Sequence, residues 1–265
     1  MHRPLSLHIL PFVLILAGCK APPAPPSLAS VPFAPDSGSI AVHCGTLIDR
    51  LADDDAKNRL VIIRDGRFER IDSGDTRPPA DLPYLDLGEY TCLPGLINTH
   101  VHLADVPERA SDYPVYYRLT DADNIRTTTE NAQITLLTGF TTVRNVGDYF
   151  PQVVYDIRDR IRAGDALGPR IQAAGPYLTI PGGGGDMFLP EHDESEIPAA
   201  LRTGVASTPQ EFEDVARRAV DNGADFLKVM ASGAVFSFGT EPGSPEMHQD
   251  DIEAVVKVAR EHGLK

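Results

Sequence analysis

The segment Leu93–His102, which reads LPGLINTHVH, constrains the fold of this chain more than any other. Its apolar residues predict a buried β-strand, and the strand ends in two histidines one residue apart. Because side chains alternate faces along a strand, His100 and His102 are expected to point the same way, while Val101 points to the other side. Two imidazoles that project together are half of a transition-metal site, although a bare His-x-His pair is more often structural.

After Leu93 the sequence alternates between strand-like and helix-like segments, which predicts parallel βα units. One helix is well delimited, with Thr208 as its N-cap, Pro209 in its first turn, Glu211 completing a capping box and Gly223 as its stop. The further strands are expected at Gly139–Arg144, Pro169–Gly175 and Ala224–Met230, and the other helices at Asp123–Leu137, Pro151–Ala163 and Asp250–His262.

Residues 40–90 show a different pattern, made of short strands and turns. Ile40–Cys44 and Leu60–Ile63 are strand-like. Asp65-Gly66, followed by the alternating run Arg67–Ile71, predicts a β-hairpin. This part of the chain is therefore expected to form a small β domain before the βα units.

The N-terminus resembles a bacterial lipoprotein signal. A short apolar run from Leu5 to Leu16 is too short to span a membrane as a mature helix, and it ends in Leu16-Ala17-Gly18-Cys19. Residues 1–18 are then a signal peptide, and Cys19 would carry lipid. Lys20 at the next position favours the periplasmic side of the outer membrane, and residues 19–39 form a Pro-rich tether. The alternative is an ordinary secretory signal with a chance cysteine.

Net charge and cysteine content exclude some classes. A formal charge of −14 argues against nucleic acid as a partner, because a phosphate backbone selects basic surfaces.

With Cys19 acylated, only Cys44 and Cys92 remain. Both lie in apolar strand-like runs, which favours free buried thiols, although an oxidising periplasm would allow them to pair.

Lys228 is the second candidate functional residue. It lies inside the apolar run Phe226–Met230, where a strand of a parallel sheet is expected to be buried on both faces. An unpaired buried ammonium is costly and would lose its proton or find a partner. The alternative is a lysine at a strand end whose ammonium reaches solvent.

The motifs together resemble the amidohydrolase superfamily of metal-dependent hydrolases, and within it the Xaa-Pro dipeptidase-like branch. The resemblance covers residues 40–265 and implies an α/β fold. Residues 40–90 would belong to a small β-sandwich, and residues 91–265 to the N-terminal half of a (β/α)₈ barrel with about four βα units. The motifs that carry it are PGLINTHVH in the first strand, Thr141–Arg144, Gly168–Arg170, Gly223–Phe226 and Met230–Gly233.

The resemblance also implies a site with two divalent metal ions, zinc being expected. Its ligands here would be His100, His102 and a carbamate formed by Lys228 with CO₂. Metal coordination lowers the pKa of water, so that hydroxide attacks the amide carbonyl of a dipeptide, an N-acyl amino acid or an ochratoxin-like compound. Tyr177, Gly184 and Ser232 are candidates for substrate contact, although Gly184 stands where the family usually has a histidine.

The remaining ligands of the family, two histidines and the aspartate that acts as base, would follow Lys265. We therefore expect a fragment that is inactive alone and either poorly soluble or self-assembling, and a homo-oligomer when complete. Two alternatives remain. The first is a mononuclear deaminase or cyclic-amide hydrolase of the same superfamily, and the second is a non-catalytic surface lipoprotein with a decayed barrel.

Overall fold

A computed structural model of the protein describes residues 38–48, 56–106, 113–190, 192–235 and 238–265. The predicted signal peptide, Cys19 and nearly all of the predicted tether lie outside these residues. The chain divides into two compact units, residues 1–92 and 93–265. No helix within the described ranges combines the length and the apolar character that crossing a membrane requires.

The first unit contains one four-stranded mixed sheet in the order β3-β2-β1-β4. Strand β1 pairs antiparallel with β2 and parallel with β4. Asp65 and Gly66 both have positive φ, 49° and 70°, as a type I′ turn requires between β2 and β3. The strands are β1 (Ile40–Leu47), β2 (Ala56–Arg64), β3 (Arg67–Ser73) and β4 (Tyr84–Cys92).

Cys44 and Cys92 form a disulfide, so the expectation of free thiols is wrong. Their Cα atoms are 5.8 Å apart across a sequence separation of 48 residues. The parallel pairing of β1 with β4 aligns Leu47 with Cys92 and brings the two sulfur atoms together. The apolar neighbours of each cysteine indicated burial correctly, but they carry no information on which distant strand lies alongside.

The second unit contains a three-stranded parallel sheet in the order β5-β6-β7, with helices in the connections. The strands are β5 (Leu96–Val101), β6 (Phe140–Asn145) and β7 (Arg170–Ala173). The helices are α1 (Asp121–Leu137), α2 (Pro151–Ala163), α3 (Pro209–Asp221) and α4 (Gln249–Glu261), and short 3₁₀ helices lie at Tyr113–Arg118, Glu194–Glu196 and Ala199–Arg202.

Two apolar clusters hold these elements together. In the first, Val143 of β6 and Ile171 of β7 pack against Val154 and Ile157 of α2. The second cluster joins α3 to α4 through Phe212, Val215 and Val258, with Leu178 from the segment after β7. Each fully buried aliphatic or aromatic side chain of this size contributes about 1.5–3 kcal/mol to stability.

At the start of α3 the predicted N-cap and first-turn proline are confirmed, but the predicted capping box is not formed. The Thr208 side chain accepts a hydrogen bond from the Glu211 amide, and Pro209 occupies the first turn. The Glu211 carboxylate accepts instead from the Ser207 amide, one residue before the N-cap, at 2.7 Å. The helix ends at Asp221, and Gly223 has a φ of 99° that other residues rarely adopt.

The predicted fourth strand, Ala224–Met230, is not a regular strand. It bends at Asp225 and Phe226 and forms a single parallel bridge between Val229 and Leu178. The Leu178 amide donates to the carbonyl of Lys228, and the Met230 amide donates to the carbonyl of Leu178. These two bonds, with a third from the Asp225 amide to the Ala173 carbonyl of β7, fix the segment beside β7 and its continuation without forming a regular ladder.

Candidate metal centre

His100 and His102 lie at the carboxyl end of β5, as expected from the alternation along a strand. Their ring centroids are 5.3 Å apart and the ring planes are inclined by 79°. The strand around them differs from the expectation of a buried run, since β5 is an edge strand of the described sheet and Ile97 is 66% exposed. His100 is itself exposed, and His102 is half-buried.

The orientation of His102 is fixed by a backbone contact. Its Nδ1 lies 2.9 Å from the carbonyl oxygen of Gly147, in the loop after β6. Because a carbonyl oxygen can only accept, this contact assigns the ring proton to Nδ1. A ring with its proton on Nδ1 presents the lone pair of Nε2, which is the arrangement found in histidines that bind metals.

Two asparagines hold the chain on either side of this contact. The side chain of Asn145, which is buried, accepts from the Leu103 amide at 2.7 Å and donates to the Gly147 carbonyl at 3.3 Å. The Asn131 amide group of α1 donates to the carbonyls of Leu103 and Asp105, at 2.9 and 2.8 Å. The turn that follows the histidine pair is thus tied to both β6 and α1.

Lys228 approaches the histidine pair from the extended segment. It is half-buried, whereas the sequence predicted burial on both faces, and it makes no ion pair with a described residue. Partial burial lowers the pKa of His100, and the nearby charges of His102 and Lys228 lower it further. The three predicted ligands therefore lie close enough to interact electrostatically.

Tyr177 lies against His102 rather than free in the mouth of the site. Its hydroxyl is 2.9 Å from Nδ1 of His102. Burial, followed by the charge of Asp148, raises the pKa of Tyr177 well above its ordinary value, so the phenol stays protonated. Tyr149 packs edge-on against Tyr177 at 5.1 Å, and Tyr116 packs against Tyr149 at 5.5 Å.

Asp148 is a buried carboxylate beside this aromatic series. It follows Gly147 directly, and its Oδ1 accepts from the Phe150 amide at 2.9 Å. Burial raises the pKa of Asp148, while the charge of His102 opposes that shift.

Gly184 lies in a loop that two buried carboxylates hold in place. The Gly184 amide donates to both oxygens of Glu246, at 2.8 and 2.9 Å. Asp186 accepts from the Gly182 amide and from the guanidinium of Arg202. A Cβ atom at Gly184 would come within 2.9 Å of the Ala234 amide nitrogen. The histidine usual in the family would thus require this loop to shift.

Ser232 contributes less than the sequence suggested. It is exposed, and its backbone forms an isolated bridge with Pro245. No contact of the Ser232 side chain with the histidine pair is present among the described residues. Ser232 follows the Lys228 segment and lies at the exposed edge of this region.

The donor set fits a divalent transition-metal ion in part. Two neutral imidazoles are suitable ligands, and Lys228 becomes an anionic oxygen ligand only after carbamylation. Within the described ranges, no cluster of three or more His, Cys, Asp or Glu side chains is arranged to hold a metal ion. The residues present therefore supply part of a ligand set, centred on the His100–His102 pair.

Sequence reasoning missed three residues of this region: Asp148, Tyr149 and Glu246. One signal was available for the first two, because they follow β6 directly, and residues after the carboxyl ends of parallel strands build sites. Glu246 offered no local signal. It reaches Gly184 across a separation of 62 residues.

Comparison with known proteins decides the family. Residues 91–265 match the model of the amidohydrolase family, which is about two thirds of the chain. The chain belongs to the amidohydrolase family. Members of this superfamily generally use divalent metal ions, which agrees with the histidine pair at the end of β5.

Individual relatives place this amidohydrolase within the family. It is 25% identical to ochratoxinase of Aspergillus niger over 178 residues, which are 63% of this chain and 36% of the relative. A crystal structure of a Xaa-Pro dipeptidase with methionine bound in the active site matches with a TM-score of 0.73 and 29% identity, over 85% of this chain and 55% of that one. Molinate hydrolase matches with a TM-score of 0.70 and 26% identity, over 85% and 52%. The chain thus spans between about a third and about half of the length of these relatives.

Proposed function

We propose that the protein carrying this sequence hydrolyses a C–N bond in a small amide, such as a dipeptide or an N-acyl amino acid. Family membership supports a hydrolase. A Xaa-Pro dipeptidase and ochratoxinase are among the similar proteins. The observation that carries the proposal is the His100–His102 pair, with the proton of His102 assigned to Nδ1 and its Nε2 available as a ligand.

The proposed fold is a (β/α)₈ barrel. Its first four strand positions would be β5, β6, β7 and the segment around Lys228. The connections β5-α1-β6 and β6-α2-β7 are parallel crossovers, which such a barrel requires. The four-stranded sheet of residues 40–92 would be part of a β-sandwich domain. Barrel active sites lie at the carboxyl ends of the strands, where the histidine pair is found.

Two divalent ions, zinc in the first instance, would be held by His100, His102 and carbamylated Lys228. When bound, such ions polarise a carbonyl group and lower the pKa of water toward neutrality. The half-buried position of Lys228, without an ion-pair partner among the described residues, keeps its amine accessible to CO₂.

The residues of the chain have separate roles in this proposal. The Gly147 carbonyl holds His102 in the tautomer that binds metal, and Asn145 holds Gly147 in turn. Tyr177 keeps its proton and packs against His102, so its ring limits the space on that side. Gly184, fixed by Glu246, and Ser232 at the rim are the candidates for substrate contact.

The site of action is also part of the proposal. Cleavage before Cys19 and acylation of its thiol would anchor the protein to the periplasmic side of the outer membrane. The disulfide between Cys44 and Cys92 supports an oxidising compartment, because cytosolic thiols are kept reduced. The complete protein would form a homo-oligomer.

The test is hydrolysis, by the complete protein that carries this sequence, of a substrate panel containing L-alanyl-L-proline, N-acetyl-L-phenylalanine and ochratoxin A. We expect release of the amine product, loss of activity after chelation, and recovery on adding zinc. His102→Ala should abolish the activity, whereas His192→Ala, which removes a histidine paired with Glu196, should leave it unchanged. Absence of hydrolysis after metal has been restored would favour the non-catalytic lipoprotein instead.

A further inference from the structure

A cavity separate from the His100–His102 pair lies in the unit formed by residues 93–265. It has a volume of about 340 Å³, which is within the range of small-molecule sites. It is lined by the start of α2, the last turns of α3 and residues near the start of α1. The His100–His102 pair and Lys228 are not among its lining residues.

The wall of the cavity is apolar and aromatic, and one buried polar atom of a lining residue is closed off from it. Tyr149, Phe150, Tyr155 and Pro176 contribute to this wall. Tyr155 is 2% exposed, and its hydroxyl has no hydrogen-bond partner among the described residues. A buried hydroxyl without a partner is unusual in a native protein, because it loses its bonds to water without replacement.

Two opposite charges stand at the rim of the same cavity. Arg218 of α3 and Asp121 of α1 both line it and both are exposed. Neither forms an ion pair with a described residue, whereas the neighbouring Arg217 contacts both Glu213 and Glu261. A guanidinium free of carboxylates is a donor for the carboxylate of a ligand, and a free carboxylate accepts from an ammonium group.

We propose that this cavity binds a free α-amino acid with an apolar side chain. The ligand carboxylate would meet Arg218, its ammonium group would meet Asp121, and its side chain would lie against Tyr149 and Phe150. The proposal does not depend on the proposed hydrolase function. The proposal rests on two features of the cavity: opposite charges stand at its rim, and its inner wall is apolar.

The test uses L-phenylalanine and two analogues, each of which lacks one of its charges. By calorimetric titration, L-phenylalanine should bind the wild-type chain saturably. 3-Phenylpropionate, which lacks the amine, and phenethylamine, which lacks the carboxylate, should each bind about tenfold more weakly, the loss expected for one hydrogen bond between charged groups.

Variants of Arg218 and Asp121 test which charged group of the ligand each of these residues binds. Arg218→Gln should weaken L-phenylalanine about tenfold and leave phenethylamine unchanged, since that analogue has no carboxylate to lose. Asp121→Asn should weaken L-phenylalanine and leave 3-phenylpropionate unchanged. Arg260→Gln and Asp250→Asn on α4 remove the same charges elsewhere and should change nothing.

A separate control is needed because Tyr149, which lines the cavity, also packs against Tyr177 beside His102. The double variant His100→Ala/His102→Ala should therefore be titrated with L-phenylalanine as well, and binding is expected to persist. The proposal is overturned if no saturable binding is seen, if binding is indifferent to both Arg218→Gln and Asp121→Asn, or if it is lost with the histidine pair.

Discussion

The two units of the chain differ in the interactions that stabilise their interiors. In the unit of residues 1–92, the described core is apolar and is closed by the disulfide between Cys44 and Cys92. In the unit of residues 93–265, buried polar side chains are part of the interior. All buried polar residues of the described chain belong to this second unit: Asn124, Thr127, Thr128, Asn145, Asp148, Arg158, Thr179, Asp186, Glu246 and Asp251.

The difference shows where precise positioning is needed. Several of these buried polar groups fix loops rather than strands. Asn145 holds the turn after the histidine pair, Asp186 and Glu246 hold the glycine-rich loop, and Asp148 holds the start of α2. Buried polar groups are costly unless fully bonded, so they are retained where they determine one conformation. Here that place is the carboxyl end of the parallel strands.

Removal of the disulfide gives the largest expected effect on stability. In the chain-entropy account, closing a loop of this length lowers the entropy of the unfolded state and contributes about 4 kcal/mol. We expect Cys44→Ser/Cys92→Ser to increase hydrogen exchange throughout the strands of residues 38–92, measured peptide by peptide with mass spectrometry. Exchange in α2 and α3 should stay unchanged. An equal increase in both units would contradict the separation between them.

The buried ion pair of Arg158 tests the second unit. This guanidinium, 5% exposed, donates to Asp225 at 2.9 Å and to the Gly223 carbonyl at 2.6 Å, so it ties α2 to the segment that leads to Lys228. Arg158→Met should lower the free energy of unfolding by about 3 kcal/mol, because Asp225 and the Gly223 carbonyl both lose their bonds to this buried guanidinium. Urea denaturation measures this change.

Arg162 is the matched control, because it contacts the other oxygen of Asp225 at 3.2 Å and is 54% exposed. Arg162→Ala should cost no more than about 0.5 kcal/mol, since solvent screens an exposed pair. Equal losses for the two variants would show that burial does not distinguish these arginines.

The smallest expected effect is a pH dependence in the first unit. His43 lies between two acceptors, Asn58 and Asp86, each 2.8 Å from a ring nitrogen. These two hydrogen bonds, Asn58 first, raise the pKa of His43 above 6.5. A raised pKa stabilises the fold below pH 6.5, and this contribution is lost as the pH rises through the higher folded value.

His43→Gln removes this titration. The difference in stability between wild type and His43→Gln should be larger at pH 5.5 than at pH 8.5, by about 0.5 kcal/mol for a pair near the surface. Hydrogen exchange of residues 38–92 at both pH values measures it. His192→Gln, in the other unit, should not alter that profile, and a difference that grows toward alkaline pH would contradict the account.

The sequence predicted what depends on neighbouring residues. The helix of α2 agrees with Pro151–Ala163 at both ends, and the histidine pair lies at a strand end, because both features follow from local periodicity. The disulfide and the irregular segment around Lys228 were missed. They depend on which distant strand lies alongside, and no local pattern specifies that register.

The residues of the candidate site also fall into those that the sequence predicted and those that it did not. His100 and His102 could be identified from their spacing together with the surrounding motif PGLINTHVH. The contact of Tyr177 with His102 joins residues 75 positions apart, and sequence reasoning placed Tyr177 only near the site. Asn131 donates to backbone carbonyls, and Glu246 accepts from the Gly184 amide in addition to the Thr240 hydroxyl. Such contacts leave no signature in a single sequence, because any backbone amide or carbonyl can serve as the partner.

The most direct test of the central claim is the metal content of the purified protein, measured by mass spectrometry of the elements after growth with zinc. We predict two ions per chain for the wild type of the complete protein that carries this sequence, with the ligands expected after Lys265. Lys228→Ala should abolish that dinuclear binding, whereas Lys257→Ala, which removes a surface lysine paired with Glu213, should retain both ions. Metal content that is unchanged in Lys228→Ala, or close to zero in the wild type, would contradict the account.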